Sequence, residues 1–555
     1  MRRFVGALLG SALLVGCQAA PEDPTVTDPL DASSDLTIFT GGTIYTGNGD
    51  ETVEAVTIDS AGRIVAISPP MSQDWAEDEV TLINLDGAVM FPGFTDGHAH
   101  LLNIGQRELT LNLEGTASIT ELVTRIESEL QGVPADQVLF GRGWIETGWP
   151  EGRMPNVADL DAVSPDNPVI LARADGHALV ANSAALAAAG IDDTTSDVEG
   201  GKIERDADGK ATGILIDFAM GQVLALVSQP TEQDIIRAYT VGSANYSARG
   251  WTGTHNMSVD PSHASVMERL DLEGRLPLRV HNAFDEAGFE IAAGRKNETD
   301  TITNRAVKLY MDGALGSRGA LLLEPYADRP DTSGLSLMEP GALAQLMNRA
   351  EGADVQLAIH AIGDLANRRI MDTFEAGGHD AEDRWRIEHT QILHPEDIAR
   401  VGSLGLIASM QPSHAIGDLK FAPDRLGRDR LYGAYAWQSL LETGAIIVGG
   451  SDAPVEVGTP QIEFYAAVAR KDLEGFSTED WYPEEALTRA QALTLFTSAP
   501  AYAAFMEDDL GTIEVGKLAD FTVFDRDIMT VPEDEILQAE TVMTVIHGEI
   551  VFTRD

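Results

Sequence analysis

The reading of this chain turns on Phe91-Pro92-Gly93-Phe94-Thr95-Asp96-Gly97-His98-Ala99-His100. The apolar run Ala88-Val89-Met90-Phe91 predicts a buried strand, and Pro92 and Gly93 interrupt it. Two histidines follow, one residue apart. On extended backbone, residues i and i+2 face the same way, so His98 and His100 can enter one site together. Imidazole is the commonest side-chain ligand for zinc and similar ions, and a pair on one face is a nucleus for a metal site. A His-x-His alone is more often structural, so a metal site needs ligands from elsewhere in the chain.

The 555 residues exceed what one small domain needs, although an α/β barrel can take well over half of such a length as one unit. Asp and Glu number 88 against 38 Lys and Arg, a formal net charge of -50. A surface of that sign repels nucleic acid and anionic lipid, and excludes both as partners. It suits solubility or a salty medium, where screening relieves self-repulsion.

Residues 1–17 read as an export signal. Arg2 and Arg3 precede an apolar run, Phe4 to Val15, which is too short for an ordinary membrane-spanning helix. The run ends in Leu14-Val15-Gly16-Cys17, which resembles a bacterial lipobox, with Cys17 the lipidated residue. Cys17 is the single cysteine of the chain, so no intramolecular disulfide can form. Gln18 rather than an aspartate follows it, which favours an outer-membrane anchor on the periplasmic side of the cell envelope. Residues 18–35, rich in Pro, Asp, Thr and Ala, read as a flexible tether. Membrane contact is expected only through that lipid, and the sequence assigns no oligomeric state.

Short strand-like runs separated by Gly and Asp clusters fill residues 36–90, and the same manner returns in 501–555. Neither end has enough strands for its own core, so both ends should build one β domain. Between them, over 91–500, β-rich apolar runs alternate with helical stretches, the pattern of a parallel α/β fold. Strands are expected at Val169–Ala172, Gly253–Met257, Leu278–His281, Ala306–Met311, Gln356–Ile362, Arg386–Ile392, Leu406–Gln411 and Ile446–Gly450. Helices are expected at Ile119–Leu130, Pro340–Glu351 and Pro483–Ser498. Spacing between strands is too long for plain β/α units from about 101 to 246, which marks an insertion of the kind that shapes substrate pockets.

Four further strand ends carry metal-competent groups: Lys308 in Val307-Lys308-Leu309-Tyr310-Met311-Asp312, His360 after Leu357-Ala358-Ile359, His389 in Arg386-Ile387-Glu388-His389-Thr390, and Asp452 in Gly449-Gly450-Ser451-Asp452-Ala453-Pro454. A parallel barrel gathers the C-terminal ends of distant strands at one mouth.

Taken together, these stretches resemble the metal-dependent amidohydrolase superfamily, and closely its YtcJ-like branch with the N-substituted formamide deformylases. Gly143-Trp144-Ile145-Glu146, Asp175 to Ser183, Val307 to Arg318 and Gly511 to Phe521 add to the match, which runs from about Leu36 to the C-terminus. The resemblance implies an α/β fold, a distorted (β/α)8 TIM barrel with a flanking β-sandwich built from both chain ends. It implies one or two divalent ions, zinc foremost, held by His98 and His100 on one side and His360 and His389 on the other. Lys308 would bridge them after N-carboxylation, because an ammonium offers three donors and no acceptor, whereas a carbamate has two oxygens. Asp452 would touch the metal, accept the proton of the attacking water and return it to the leaving nitrogen. Trp144, His177, Arg318 and His414 are implied at the substrate, with Trp149 beside Trp144. His255-Asn256 departs from the branch, where aspartate often stands in the second place. The expected activity is hydrolysis of a non-peptide carbon–nitrogen bond in a small amide or N-substituted formamide. The alternatives are a mononuclear deaminase-like site acting on a heterocycle, and a binding lipoprotein without turnover.

Overall fold

The computed structural model describes residues 36–67, 80–135, 137–146, 148–174, 176, 178–198, 201–228 and 230–554. The signal, lipobox and tether expected in residues 1–35 lie outside them, Cys17 included. Among the described residues, Leu102–Gly242 forms one compact unit, and residues 36–101 with 243–554 form another. No described helix is long and apolar enough to cross a membrane.

Within the larger unit, both chain ends contribute to one eight-stranded sheet, in the order Glu549–Thr553, Thr541–Ile546, Phe521–Phe524, Val89–Pro92, Leu36–Tyr45, Thr52–Asp59 and Ile64–Ile67, with Val80–Asn84 pairing Leu36–Tyr45. Leu36–Tyr45 slips register between Thr40 and Ile44. Its first half pairs with Val80–Asn84 and its second with Val89–Pro92, so one strand serves two parts of a folded sheet. Gly41 at that slip has φ +80, and a Cβ there would fall 2.0 Å from Asn84 Oδ1. Phe39, Ile44, Val56, Met90, Phe521, Val523 and Val545 fill the enclosed core.

Pro92-Gly93 then passes the chain from this sheet to the barrel, whose eight strands are all parallel and pair in sequence order. They are Phe94–Ala99, Trp251–Val259, Arg279–Phe284, Ile302–Tyr310, Gln356–Ala361, Arg386–His389, Ile407–Met410 and Ile447–Gly449. The fold class expected from the sequence is therefore confirmed. One helix differs: Pro483–Ser498 is not continuous. Thr488 and Gln491 form a capping box that starts the helix at Arg489, and Thr497 ends it before a second helix, Ser498–Ala503.

The first and last strands close the barrel without a regular ladder. Asp452 N donates to His98 O at 2.6 Å, His100 N to Ala453 O at 2.9 Å, and Ser451 N to Asp96 Oδ1 at 2.9 Å. Glycine makes this approach possible. A Cβ on Gly97 would lie 2.2 Å from Val448 Cγ1 and 2.6 Å from Gly449 O. Gly97→Ala is accordingly expected to cost about 1–3 kcal/mol by forcing the seam apart. A thermal melt superimposable on wild type would refute that.

The unit Leu102–Gly242 carries a six-stranded mixed sheet, in the order Gly201–Arg205, Ala211–Asp217, Ala178–Ala181, Val169–Arg173, Leu139–Trp144, Leu111–Asn112. Helix Ile119–Leu130 begins where the Ser118 side chain accepts from Glu121 N, and buries Ile119, Leu122 and Ile126.

Candidate metal centre

All six groups expected at the mouth meet there. His98 ends the first strand fully buried, while the His100 ring beyond it is partly open. Lys308 lies in the fourth strand, His360 in the fifth and His389 at the end of the sixth; Asp452 follows the eighth. Ring centroids of His98 and His389 are 4.8 Å apart, and those of His360 and His389 are 4.5 Å apart. Ligand-capable atoms of His98, His389 and Asp452 lie within 4.8 Å of one another. Lys308 Nζ is 3.4 Å from His98 Nε2, and Asp452 Oδ1 is 3.5 Å from that nitrogen and 3.1 Å from His100 Nε2.

Backbone strain helps to assemble the group. His389 has φ +75 and Asp452 φ +57, a region that costs non-glycine residues of order 1–3 kcal/mol each. At His389 the departure breaks strand alternation, so that adjacent Glu388 and His389 both reach His98. Without it they would face opposite sides of the sheet.

The histidines are oriented by their other nitrogens. His98 Nδ1 meets Glu388 Oε2 at 2.5 Å, His100 Nδ1 meets Met257 O at 3.1 Å, and His389 Nδ1 meets Gln411 Oε1 at 2.8 Å. His360 bonds the backbone of Gly313. These acceptors place a proton on each Nδ1 of His98, His100 and His389 and leave each Nε2 lone pair free to ligate. Burial, then the nearby Lys308, lowers His98 to about 4 and His360 to about 3. Burial and then His360 put His389 well below the imidazole range. His98, His360 and His389 are thus neutral at neutral pH, as ligands must be.

Burial raises Asp452, but the facing imidazoles of His98, His100 and His389 more than offset it, holding the carboxyl well below its usual range. Among the described residues, Asp452 Oδ1 and His360 Nε2 are buried without a hydrogen-bond partner. A buried orphan costs about 1–3 kcal/mol, and ligating a cation would satisfy both. The donor set therefore fits a divalent metal, with His98, His100, His360, His389 and Asp452 to hold it.

His414, on helix Pro412–Asp418, joins the group from the side, with Nε2 3.7 Å from Asp452 Oδ2 and 3.7 Å from Glu456 Oε1. Gln391 Nε2 lies 3.1 Å from its Nδ1 and donates to it. The His414 proton then sits on Nε2, the opposite tautomer from its neighbours, so this ring offers a donor at the mouth. Arg318 is engaged by Asp328 at 3.1 and 2.6 Å. Trp144 is fully buried in the core of the Leu102–Gly242 unit, its indole N–H donating to Leu171 O at 2.9 Å. Trp149 packs with it and donates to Thr116 O. His177 is outside the described residues. Asp312 accepts backbone N–H groups from Leu321, Ile362 and Gly363 and pins the loops after the fourth and fifth strands.

Sequence reading missed Asp96, Glu388 and Gln411. Asp96 takes Ser451 N, Ser451 Oγ and Tyr246 Oη, and so holds the seam beside Asp452. Residues 386 and 388 alternate on one strand face, which is the only signal that could have pointed to Glu388.

Comparison with known proteins agrees with this geometry. A profile described as the amidohydrolase family matches residues 81–552. YtcJ of Bacillus subtilis (strain 168), named as a candidate amidohydrolase, is 33% identical over 532 residues, covering 93% of this chain and 99% of that protein. The N-substituted formamide deformylase of Arthrobacter pascens is 28% identical over 516 residues, covering 89% and 94%. The crystal structure of an uncharacterized metal-dependent hydrolase from Pyrococcus horikoshii OT3 superposes with a TM-score of 0.74 at 27% identity, covering 90% of this chain and 99% of that one. The chain belongs to the amidohydrolase family and is a metal-dependent hydrolase on that family's barrel.

Proposed function

We propose that this hydrolase cleaves a non-peptide carbon–nitrogen bond in a small amide, with N-substituted formamides as the first class to test. The observation that carries the reading is Asp452: a buried, ionised carboxylate with one orphaned oxygen, 3.1 Å from His100 Nε2 and facing the imidazoles of His98 and His389. The likeness to the formamide deformylase supports the choice of substrate class. A bound divalent cation supplies Lewis acidity, which lowers the pKa of water from 15.7 to about 7 and polarises the amide carbonyl.

The chain's own groups do the rest. Asp452 accepts the proton that water releases on attacking the carbonyl carbon. It then gives that proton to nitrogen as the carbon–nitrogen bond breaks, so that acid and amine leave without net proton uptake. His414 Nε2–H, beside Asp452 Oδ2, can donate to the substrate and fix its orientation. Burial of His98, Lys308 and Asp452 excludes bulk water, which strengthens each electrostatic contact.

The test is amine release from a panel of N-substituted formamides and simple amides by zinc-loaded protein. Chelation should abolish release and zinc should restore it. Ammonia from aminated heterocycles with no amine from any amide would replace this reading with the deaminase-like one, and loaded protein inert on both would leave the binding protein.

A further inference from the structure

Beneath His98 the barrel interior holds an ion pair with no solvent exposure, Arg386 with Glu388. Arg386 Nε donates to Glu388 Oε1 at 2.7 Å and Nη2 to Oε2 at 3.0 Å, a two-point grip on the carboxylate. The same Nη2 donates to Gly97 O at 2.7 Å and to Ser409 Oγ at 2.8 Å, while Nη1 contacts His255 Nδ1. One guanidinium therefore fixes both the carboxylate that receives His98 Nδ1 and the backbone of the residue before His98. Both ends of the 2.5 Å contact between His98 and Glu388 are referred to a single rigid group.

The partner of His98 also differs in kind from those of its neighbours. His100 uses a backbone carbonyl, His389 a glutamine amide and His360 the backbone at Gly313. Of these four orienting partners, the one at His98 Nδ1 is a carboxylate. An ionised carboxylate only accepts, so it puts the ring proton on Nδ1, and its charge raises the donor strength of Nε2. That Nε2 is the atom beside Lys308 Nζ and Asp452 Oδ1.

We propose that Glu388, braced by Arg386, is a positioning residue that sets the tautomer, aim and donor strength of His98 and so its grip on the metal. The proposal rests on reading the mouth as a metal-binding hydrolase site. Glu388→Gln keeps shape and one acceptor but removes the charge. In competition with a zinc chelator, zinc should bind Glu388→Gln about 10–100-fold more weakly than wild type. The visible spectrum of the cobalt-substituted protein should shift as well. Asp520→Asn serves as a control. It breaks a buried pair with Arg279, at 2.5 and 3.1 Å, without touching His98. It should lower the melting temperature and leave zinc affinity unchanged.

Equal zinc affinity in Glu388→Gln and wild type, or a loss in both variants that tracks stability, overturns the positioning role alone. Wild type that binds no zinc overturns the metal-site reading and this proposal with it. Should Glu388→Gln fail to fold, nitrogen-15 histidine spectra of zinc-free wild type decide the matter, with His98→Asn used for assignment. The Nδ1–H tautomer is expected at His98, and an Nε2–H tautomer overturns the proposal.

Discussion

Asp452→Asn is expected to fold and bind substrate while losing at least about 10²–10⁴-fold in kcat, the range supplied by a positioned proton-transfer group. Asparagine has the shape of aspartate and tolerates the left-handed φ of +57 that this position adopts. Its backbone N–H would still donate to His98 O, so the seam survives. Only charge and proton affinity change. An amide oxygen can still ligate weakly, but it cannot take a proton from water and hand it to nitrogen. The loss should therefore fall on kcat with a smaller change in KM, and the melting temperature should stay close to wild type. Wild-type turnover in this variant would remove Asp452 from the proton path.

The effect is expected to be large because the site gives Asp452 no substitute. His98, His100, His360 and His389 face the same space, but burial holds His98, His360 and His389 neutral, and their free Nε2 atoms are the ones a metal takes. His414 presents a proton rather than a lone pair. Glu388 is occupied by Arg386 and His98. Glu456 Oε1 lies 3.7 Å from His414 Nε2, and Asp312, whose Oδ1 is 3.5 Å from His360 Nε2, is taken up by the backbone N–H groups of Leu321, Ile362 and Gly363.

What the sequence made legible follows from how local each signal is. His98 and His100 were readable because alternation on one strand places both, and His360 because an apolar run ends at it. Asp452 was readable as a polar residue just past a strand, where a parallel barrel puts its chemistry. The partner of each histidine was not readable, since it lies in another strand: 290 residues separate His98 from Glu388, and 22 separate His389 from Gln411. The packing of Trp144 was hidden for a related reason. An aromatic residue in a glycine-flanked motif looks alike whether it lines a pocket or fills a core, and only the sheet of Leu102–Gly242 shows it packed beneath Leu171. The seam was also hidden, because a glycine needed for close approach is read as a turn until its neighbour across the gap is known.

Lys308→Ala is expected to lower the metal content from about two ions to about one and to abolish hydrolysis, the outcome for a bridging carbamate. Lys308 is almost fully buried, with Nζ 3.4 Å from His98 Nε2 and 5.2 Å from the Tyr310 ring. Burial lowers its pKa from 10.5 to about 8, against the opposing pull of Glu388 and Asp452. Carboxylation requires the neutral amine, and a pKa of about 8 leaves far more of it near pH 7 than an ordinary lysine has. The sign of the pH effect follows: the neutral amine is scarce below pH 8 and dominant above it. Metal-free protein given zinc and bicarbonate should therefore regain activity faster at pH 8.5 than at pH 6.5. Elemental analysis of protein starting after Cys17, prepared without chelators, reads the stoichiometry directly. One ion in wild type, unchanged in Lys308→Ala, would mean that the lysine holds no metal and would move the chemistry to a mononuclear, deaminase-like site.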